Sequence, residues 1–325
     1  MKAIQVHEFG GPEVMKLEEA PDPAAGPGQV LIQVRAAGVN PVDMTFRSGA
    51  HPLSKSLKLP WTPGIDAAGE VLEVGGGVEG IQPGDSVFGA AVSGGYAEKA
   101  ALNGLRTAHI PSNLSFEECA SFPVVLYTAF YAVVVKAGIQ PGQTILVHAG
   151  AGGVGTMAIQ IAKAAGARVI TTVSSKEKAD IAASLGADVV VNYREEDFAV
   201  RCQEETAGRG VDVVIEMVSS ENFDKSCQAL KKFGVMVLLG AGTGKNPTGS
   251  VNYPPFYSKD IDIRGMSLFN TDPVFPDMIR QVDLLLKNGK VRPLVSEKVP
   301  IAEAARAHGL LMSGKVPGKI VLTVG

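Results

Sequence analysis

The sequence feature that most constrains the fold is a glycine-rich segment, 148–155, which follows the apolar run 144–147 and opens a predicted helix through 157–163. Its glycines form the pattern G-x-G-x-x-G, in which the first permits a tight turn, the second lets backbone approach a pyrophosphate and the third lets a helix pack closely on a strand. The helix N-terminus adds partial positive charge. The segment predicts a dinucleotide cradle made of Gly150, Ala151, Gly152, Gly153, Val154 and Gly155.

The glycine pattern alone also occurs in ordinary tight turns, so the surrounding periodicity decides the interpretation. After residue 142, strand-like and helix-like runs alternate, which is typical of parallel βαβ units. The predicted strands are 144–148, 168–173, 189–192, 211–216 and 235–240. The predicted helices between them are 154–165, 176–185, 195–206 and 223–231. This alternation predicts a doubly wound parallel sheet.

The first 123 residues have a different rhythm, with strand-like runs separated by Gly and Pro. The clearest runs are 30–38, 69–75, 86–92 and 94–102. They predict a β-rich, partly barrel-like domain, and a helix over 126–135 leads out of it. Near the C-terminus we expect helices over 276–288 and 302–313, followed by a closing strand, 319–324, that returns to the first domain.

Composition narrows the class of protein. A chain of 325 residues is long for one domain, and 46% hydrophobic with 19% charged residues is typical of a globular protein. The net charge of −3 gives no general attraction to nucleic acid or anionic membrane. The sequence contains neither a leader-like apolar segment at Met1 nor a long membrane-spanning run, and its three cysteines are far apart. We therefore expect reduced thiols and a cytoplasmic location.

The residues after the second predicted strand indicate which dinucleotide binds. An NAD-preferring unit carries an acidic residue there to bind the ribose hydroxyl, whereas this chain continues with serines and lysines. The candidate ligands for a 2′-phosphate are Ser174, Ser175, Lys178 and Tyr193. Taken singly, the lysine and the tyrosine fit a solvated helix face and a packed strand end equally well. The missing acid is the stronger signal, and it favours NADPH over NADH.

The segment 142–163 resembles the signature of the quinone oxidoreductases and zeta-crystallins, within the medium-chain dehydrogenase/reductase superfamily. Further segments similar to this family follow the same order along the chain: 39–43, 47–49, 63–69, 83–85 and 318–322. The resemblance implies a GroES-like catalytic domain formed by 1–123 with 266–325, and a Rossmann NADPH-binding domain formed by 124–265. The nicotinamide would meet its substrate in a cleft between them.

The resemblance also places candidate residues at the reacting end of the site. It sets Asn40 beside the nicotinamide, although an Asn before Pro41 also caps a turn. Asp43 would orient Asn40 or cap a helix; its sequence neighbours suggest no way to raise its pKa, which argues against direct acid catalysis. Thr128 resembles a threonine that approaches the nicotinamide, but a Thr in an apolar helix also bonds its own backbone.

Other positions follow the family less closely. His51 stands where several quinone reductases have a cleft tyrosine, so the hydrogen-bond donor differs, and Gly314 stands where relatives often have arginine. The first change bears on quinone specificity and the second on the NADPH preference. Residues expected near the nicotinamide ribose or along the cleft wall are Gly240, Ala241, Gly242, Leu268 and Phe269.

Whether the chain binds zinc depends on which ligand side chains it carries. A catalytic zinc needs three protein ligands and a structural zinc four, usually closely spaced cysteines. This chain has 40–43 where zinc members of the superfamily carry a Cys, and 64–66 where they carry Gly-His-Glu. It has no cysteine-rich loop, and His51, His109 and His148 lack ligand spacing. We predict that no metal is bound.

Without zinc, the expected reaction is hydride transfer from NADPH to an acceptor that is already electrophilic. The resemblance favours a quinone; an enone or alkenal double bond is the alternative in the same cleft. A non-catalytic NADPH-binding protein, crystallin-like and with affinity for AU-rich RNA, is a third hypothesis, and a zinc alcohol dehydrogenase is the least favoured. A homodimer formed by pairing edge strands is expected, and a tetramer is compatible with the sequence.

Overall fold

The computed structural model describes residues 1–92, 94–219, 221–240 and 251–325, and the chain forms two compact units. Unit 1 contains Met1–Val124, Val274–Lys287 and Pro293–Gly325. Unit 2 contains Val125–Pro273 and Asn288–Arg292. Each unit is described by itself below.

The elements are numbered along the chain. The strands are β1 (Lys2–Val6), β2 (Met15–Glu19), β3 (Gln29–Gly38), β4 (Asp66–Val74), β5 (Ser86–Ala91), β6 (Lys99–His109), β7 (Thr144–Val147), β8 (Arg168–Val173), β9 (Val189–Asn192), β10 (Val211–Glu216), β11 (Leu230–Leu239), β12 (Asp262–Met266), β13 (Val295–Pro300) and β14 (Lys319–Thr323). The α-helices are α1 (Pro41–Arg47), α2 (Phe116–Ala120), α3 (Pro123–Phe130), α4 (Gly153–Ala164), α5 (Lys176–Ser184), α6 (Phe198–Glu205), α7 (Phe223–Ala229), α8 (Tyr253–Ser258), α9 (Phe275–Lys287) and α10 (Ala304–Met312).

Unit 1 is built on a mainly antiparallel sheet with the order β13-β14-β3-β4-β5-β6, beside a β1–β2 hairpin. An additional pairing of β3 with β6 bends the sheet into a partial barrel. Ile32 shows the register, since it faces Val71 on β4 and Ala100 on β6. All three side chains are buried in one apolar cluster, so burial on one face fixes the pairing.

Unit 2 is a parallel sheet with the order β12-β11-β10-β7-β8-β9. Its first strand, β7, lies in the middle: Leu146 faces Ile170 on β8 and Val214 on β10. The strand order reverses between β7 and β10, which is where doubly wound sheets bind ligands at the carboxyl ends of their strands. The apolar strands are buried as expected for a sheet that helices cover.

The predicted fold class, a doubly wound parallel sheet with a separate β-rich domain, is confirmed. Some predicted elements were wrong. The expected strand 94–102 begins only at Lys99 and runs on to His109, and the expected helix 223–231 ends at Ala229, where β11 starts. Within β11, Phe233 adopts a left-handed backbone with φ of 58°. Sequence reasoning also missed β13, an edge strand whose charged side chains hide its pattern.

The helix predicted over 126–135 is present, and its last turn is wound more widely than an α-helix. It begins at Pro123 as α3 and continues as a π-helical turn, Tyr131–Lys136, in which the Ala137 N–H donates to the Ala132 carbonyl at 2.9 Å. Such wide turns are uncommon and occur frequently at functional sites. In the described part of the chain, no helix combines the length and apolarity needed to cross a membrane.

The end of β3 yields a stability prediction. A Cβ at Gly38 would lie 2.2 Å from the Ala120 carbonyl oxygen, whereas a Cβ at Gly76 meets no atom within 4 Å. We expect Gly38→Ala to lower the free energy of unfolding by about 1–3 kcal/mol, because α2 must move. Gly76→Ala should leave it unchanged or slightly raised. Urea unfolding followed by fluorescence of Trp61, the single tryptophan and part of unit 1, measures both; equal midpoints would contradict the packing argument.

Candidate active site

The predicted site residues are distributed over both units. Unit 1 contains Asn40, Asp43 and His51, and unit 2 contains the glycine-rich turn, Thr128 and the proposed phosphate ligands. Within each unit the structure brings several of these residues together. The unit 1 group also includes buried polar residues that sequence reasoning did not single out: Arg47, Asp66, Tyr96, His308 and Lys319.

Asn40 lies at the centre of the unit 1 group and is fully buried, immediately before α1. Its amide nitrogen donates to Asp66 Oδ2 at 2.9 Å, and its amide oxygen accepts from Lys319 Nζ. Because a carboxylate only accepts and an ammonium only donates, these two partners fix the orientation of the amide. The Lys319 ammonium also donates to the Val39 carbonyl at 2.7 Å.

Asp43 receives three hydrogen bonds and is fully buried. Its Oδ2 accepts from the Asn40 N–H at 2.9 Å and from the Tyr96 hydroxyl at 3.2 Å, and its Oδ1 accepts from the Ile65 N–H at 3.2 Å. Burial, helped by the negative charge of Asp66, raises the pKa of Asp43 to about 7. The sequence-based view that nothing raises this pKa was wrong, because its causes are burial and a residue from a distant strand.

Asp66 connects this group to a helix. Its second oxygen, Oδ1, accepts from the Val124 N–H at 3.0 Å, in the first turn of α3, where a negative charge stabilises a helix. Burial raises the pKa of Asp66 to about 6, although Lys319 acts in the opposite direction. Burial also lowers the pKa of Lys319.

A directional chain of hydrogen bonds reaches Asp43 from the other side. Arg47 Nη1 lies 2.9 Å from His308 Nδ1, and the Tyr96 hydroxyl lies 3.1 Å from His308 Nε2. Since arginine can only donate, Nδ1 accepts, and the neutral ring carries its proton on Nε2. That proton points at the Tyr96 oxygen, which leaves the Tyr96 hydroxyl proton for Asp43. Burial, together with the charge of Arg47, lowers the pKa of His308 to about 3.

His51 is close to this group in sequence, but its side chain contacts Leu53 and Phe46. It precedes a short 3₁₀ turn, Pro52–Ser56, and its Nδ1 accepts from the Leu53 N–H at 3.2 Å. Its ring stacks on Phe46 with 4.1 Å between centroids, and burial lowers its pKa. A neutral His51 with an accepting Nδ1 carries its proton on Nε2, which makes that atom a donor.

In unit 2, the glycine-rich turn fits a phosphate cradle. Gly152 precedes α4, so free N–H groups of the first turn point out of the helix. A Cβ at Gly150 would lie 2.0 Å from Thr171 Oγ1, and a Cβ at Gly155 would lie 2.2 Å from the Ala149 carbonyl oxygen. Side chains at these two positions would displace backbone or a buried strand. Between them, Ala151 is buried, while Gly153 and Val154 are half-buried.

The residues predicted to hold a 2′-phosphate lie together at the end of β8. The Ser175 hydroxyl accepts from the Lys178 N–H at 3.4 Å, and Lys178 Nζ lies 3.4 Å from Ser174 Oγ. The Tyr193 N–H donates to the Val173 carbonyl at 3.1 Å, which brings Tyr193 to the same corner with 52% of its surface exposed. Two hydroxyls, an ammonium and a phenol are groups that donate to a phosphate.

The remaining predicted residues are more scattered. Thr128 is buried on α3, and Gly240 follows β11 with φ of 71°. Leu268 and Phe269 belong to a 3₁₀ turn, in which Phe269 is half exposed. Ala241 and Gly242 lie outside the described residues.

The described ranges contain all three cysteines, none of which is in a disulfide. Cys119, Cys202 and Cys227 are buried free thiols, and burial raises the pKa of each. Over the same ranges, no three or more His, Cys, Asp or Glu side chains are grouped so that they could hold a metal ion.

Comparisons with known proteins agree with this architecture. Residues 26–112 match the family model described as "Alcohol dehydrogenase GroES-like domain", and residues 153–284 match "Zinc-binding dehydrogenase". The quinone oxidoreductase of Rattus norvegicus is 37% identical over 99% of this chain and 97% of its own length. Quinone oxidoreductase 1 of Escherichia coli is 34% identical over 98% of each. A mycobacterial protein solved in complex with NADPH superposes with a TM-score of 0.91 at 36% identity, covering 100% of both chains.

The GroES-like unit and the dinucleotide-type sheet define the class of medium-chain dehydrogenases and reductases. Within that class, the near-full-length identities show that the chain belongs to the quinone oxidoreductase family. The resemblance read from the sequence is thereby confirmed.

The buried imidazole of His308 predicts a pH dependence of stability. Its folded-state pKa of about 3 lies below the value of 6.5 expected when unfolded, so the folded state binds fewer protons and loses stability as pH falls below 6.5. Between pH 7 and pH 5 we expect His308 to remove about 2 kcal/mol. His308→Gln should abolish that share of the pH dependence.

Urea unfolding at both pH values, followed by the fluorescence of Trp61, measures this difference in unit 1. The matched control is His109→Gln, which changes an exposed histidine of the same unit. If the wild type and the His308 variant lost the same free energy between the two pH values, the argument from burial would be refuted.

Proposed function

We propose that this protein is an NADPH-dependent quinone reductase. The main observation is the glycine-rich turn together with a group of hydrogen-bond donors at the end of β8: Ser174, Ser175, Lys178 and Tyr193. These donors suit a 2′-phosphate and stand where an NAD-preferring unit carries an acidic residue. The relatives are named quinone oxidoreductases, and one structural neighbour was solved with NADPH, which supports the same acceptor and cofactor.

The cofactor supplies a hydride when it is bound, and the chain has to bind, orient and shield it. We propose that unit 2 binds NADPH: the turn around Gly152 holds the pyrophosphate and the group at Lys178 holds the 2′-phosphate. Gly240, Ala241, Gly242, Leu268 and Phe269 are our candidates near the nicotinamide ribose and the acceptor. We propose that unit 1, which contains most of the predicted catalytic range 1–123 and 266–325, carries the acceptor side.

At the reacting end, our candidates are Asn40, Asp43, Thr128 and His51. Asn40 is buried and bonded at both ends of its amide, so we assign it and Asp43 to positioning the start of α1. His51 is the most exposed of the four, and its Nε2–H is a donor. We propose that it hydrogen-bonds the acceptor oxygen that gains negative charge, in the place where the family resemblance implies a tyrosine in several quinone reductases.

We also propose that the enzyme works without a metal, as a cytoplasmic homodimer. The segments expected to hold zinc ligands in related dehydrogenases are 40–43 and 64–66 here, where Asn40 and Asp66 are engaged in buried hydrogen bonds. Strand β12 lies at one edge of the unit 2 sheet, where a second copy could add its own strand. Stoichiometric zinc after purification, or a monomeric mass by light scattering, would contradict these proposals.

Turnover is the direct test of the function. NADPH oxidation is followed by absorbance with a simple quinone and with a simple enone, each repeated with NADH. We expect kcat/KM to be highest for NADPH with the quinone. Turnover of the enone alone would replace the proposed acceptor, and NADPH binding without turnover would favour the non-catalytic hypothesis.

The cofactor preference has a sharper test in one side chain. Because Lys178 would donate a charge-assisted hydrogen bond to the 2′-phosphate, Lys178→Ala should weaken NADPH about tenfold or more and leave NADH unchanged. Lys176→Ala is the matched control: it removes an exposed lysine from the same helix, two residues earlier. Equal effects of the two variants, or equal effects on both cofactors, would argue against a 2′-phosphate site at this corner.

A further inference from the structure

A chain of hydrogen bonds crosses the carboxyl ends of four adjacent strands of unit 2, in the order β8, β7, β10 and β11. We call it the strand-end chain. It consists of Thr172, His148, Ser226, Glu216 and Ser219, and it ends at the Gly240 carbonyl. Its first four members are buried. It therefore spans the point between β7 and β10 where the strand order reverses.

The first half of the strand-end chain holds the glycine-rich turn. Thr172 Oγ1 accepts from the Ala149 N–H at 3.2 Å, and the Thr172 carbonyl accepts from the Gly150 N–H at 2.9 Å. The same hydroxyl lies 3.1 Å from His148 Nδ1. Ala149, which is not a glycine, has a left-handed backbone with φ of 51°. These contacts hold a costly conformation at the start of the turn.

The second half holds another turn. Glu216 Oε1 accepts from the backbone N–H groups of Val218 and Ser219, each at 2.8 Å. Ser219 is also left-handed, with φ of 68°, and its hydroxyl donates to the Gly240 carbonyl at 3.0 Å. Glu216 thus fixes the turn that follows β10, and Ser219 joins that turn to the end of β11.

Glu216 and His148 join the two halves. Glu216 Oε2 accepts from the Ser226 hydroxyl at 2.6 Å and lies 3.3 Å from His148 Nε2, which is 3.0 Å from Ser226 Oγ. A carboxylate can only accept, so the imidazole proton sits on Nε2 and Nδ1 accepts from Thr172. Burial lowers the pKa of His148, which keeps the ring neutral. With this arrangement, the polar side-chain atoms of Glu216, His148 and Ser226 each have a compatible hydrogen-bond partner.

The contact between Glu216 and His148 lies between the two turns, and this position indicates what the pair does. A carboxylate near a dinucleotide site would by itself repel the phosphates, so Glu216 does not serve the cofactor through its charge. It does hold one of two left-handed turns that flank the crevice predicted by the strand order. Backbone strain that the surroundings enforce is characteristic of ligand-binding sites.

We propose that Glu216 and His148 are positioning residues for NADPH, which hold the turns at Ala149 and Ser219 in the conformation that binds the dinucleotide. This inference rests on the proposed NADPH-dependent function. It assigns to the pair no contact with the reacting atoms. Loss of the pair should therefore affect cofactor affinity much more than the rate of the saturated enzyme.

The test is the dissociation constant of NADPH, measured by fluorescence titration without any quinone. In Glu216→Gln, the amide oxygen can still accept from Val218 and Ser219, but its NH₂ group now faces the His148 proton. We expect Kd to rise about tenfold or more, as when a buried charged hydrogen bond is lost. At saturating NADPH, kcat should stay within about twofold.

Thr206→Val is the matched control for general destabilisation of unit 2. The Thr206 hydroxyl is buried, donates to the Cys202 carbonyl at 2.6 Å and accepts from the Gly210 N–H at 2.8 Å, just before β10 begins. This variant should lower the unfolding midpoint and leave Kd unchanged. Ser219→Ala is a milder variant that removes only the bond to Gly240, and we expect its Kd to rise about two- to fivefold.

The outcomes separate the inference from the proposed function. If the wild type binds no NADPH, the proposed cofactor is wrong. If the wild type binds it, an unchanged or tighter Kd in Glu216→Gln overturns the positioning role. A similar rise in Thr206→Val also overturns it, because destabilisation alone would explain both variants. Should Glu216→Gln not fold, Ser219→Ala decides, and an unchanged Kd counts against the inference.

Discussion

The structure of unit 1 depends on keeping buried charge neutral. Asp43 and Asp66 bring two carboxyl groups into a region without solvent, and Arg47 and Lys319 bring a guanidinium and an ammonium group. An unpaired buried charge costs several kcal/mol, and the charges of Asp66 and Asp43 favour the charged form of Lys319. The neutral residues Asn40, Tyr96 and His308 connect the charged ones by hydrogen bonds with a defined direction. The group therefore locks α1, β4, β14 and α10 into one arrangement, because each supplies a member.

Unit 2 also has to accommodate a buried charged group, but only one among its described residues, the carboxylate of Glu216. Its buried carboxylate, Glu216, accepts two backbone N–H groups and a serine hydroxyl and contacts a neutral histidine. No buried cation takes part in these contacts, so hydrogen bonds alone satisfy the carboxylate oxygens. The two units thus use different solutions. In unit 1, neutral residues bridge charged groups of both signs, and in unit 2 a carboxylate accepts backbone hydrogen bonds. In both, the polar group lies where strands end and turns begin.

The sequence predicted what local patterns encode. The alternation after residue 142 predicted the parallel sheet, and the glycine spacing predicted the turn before α4, because both signals are periodic or lie within a few residues. The partners in the buried groups are different. Arg47, Asp66 and Lys319 stand inside segments that had been recognised as family-like, yet nothing local shows that they meet. Nothing in the sequence marked Tyr96 or His308 as a member of a buried polar group, because their contact joins distant parts of the chain.

The raised pKa of Asp43 shows why such sites resist prediction from sequence. The sequence neighbours of Asp43 are uninformative, whereas its burial and the charge of Asp66 are properties of the assembled fold. The three donors that converge on Asp43 favour its charged form, while burial favours the neutral one, so its proton affinity is set by a balance that only tertiary structure fixes. The same balance governs Asp66 and Lys319, which means that a substitution at any one of these positions alters the others. The orientation of the Asn40 amide accordingly belongs to the group rather than to the single residue, because the amide is oriented only while both of its charged partners are present.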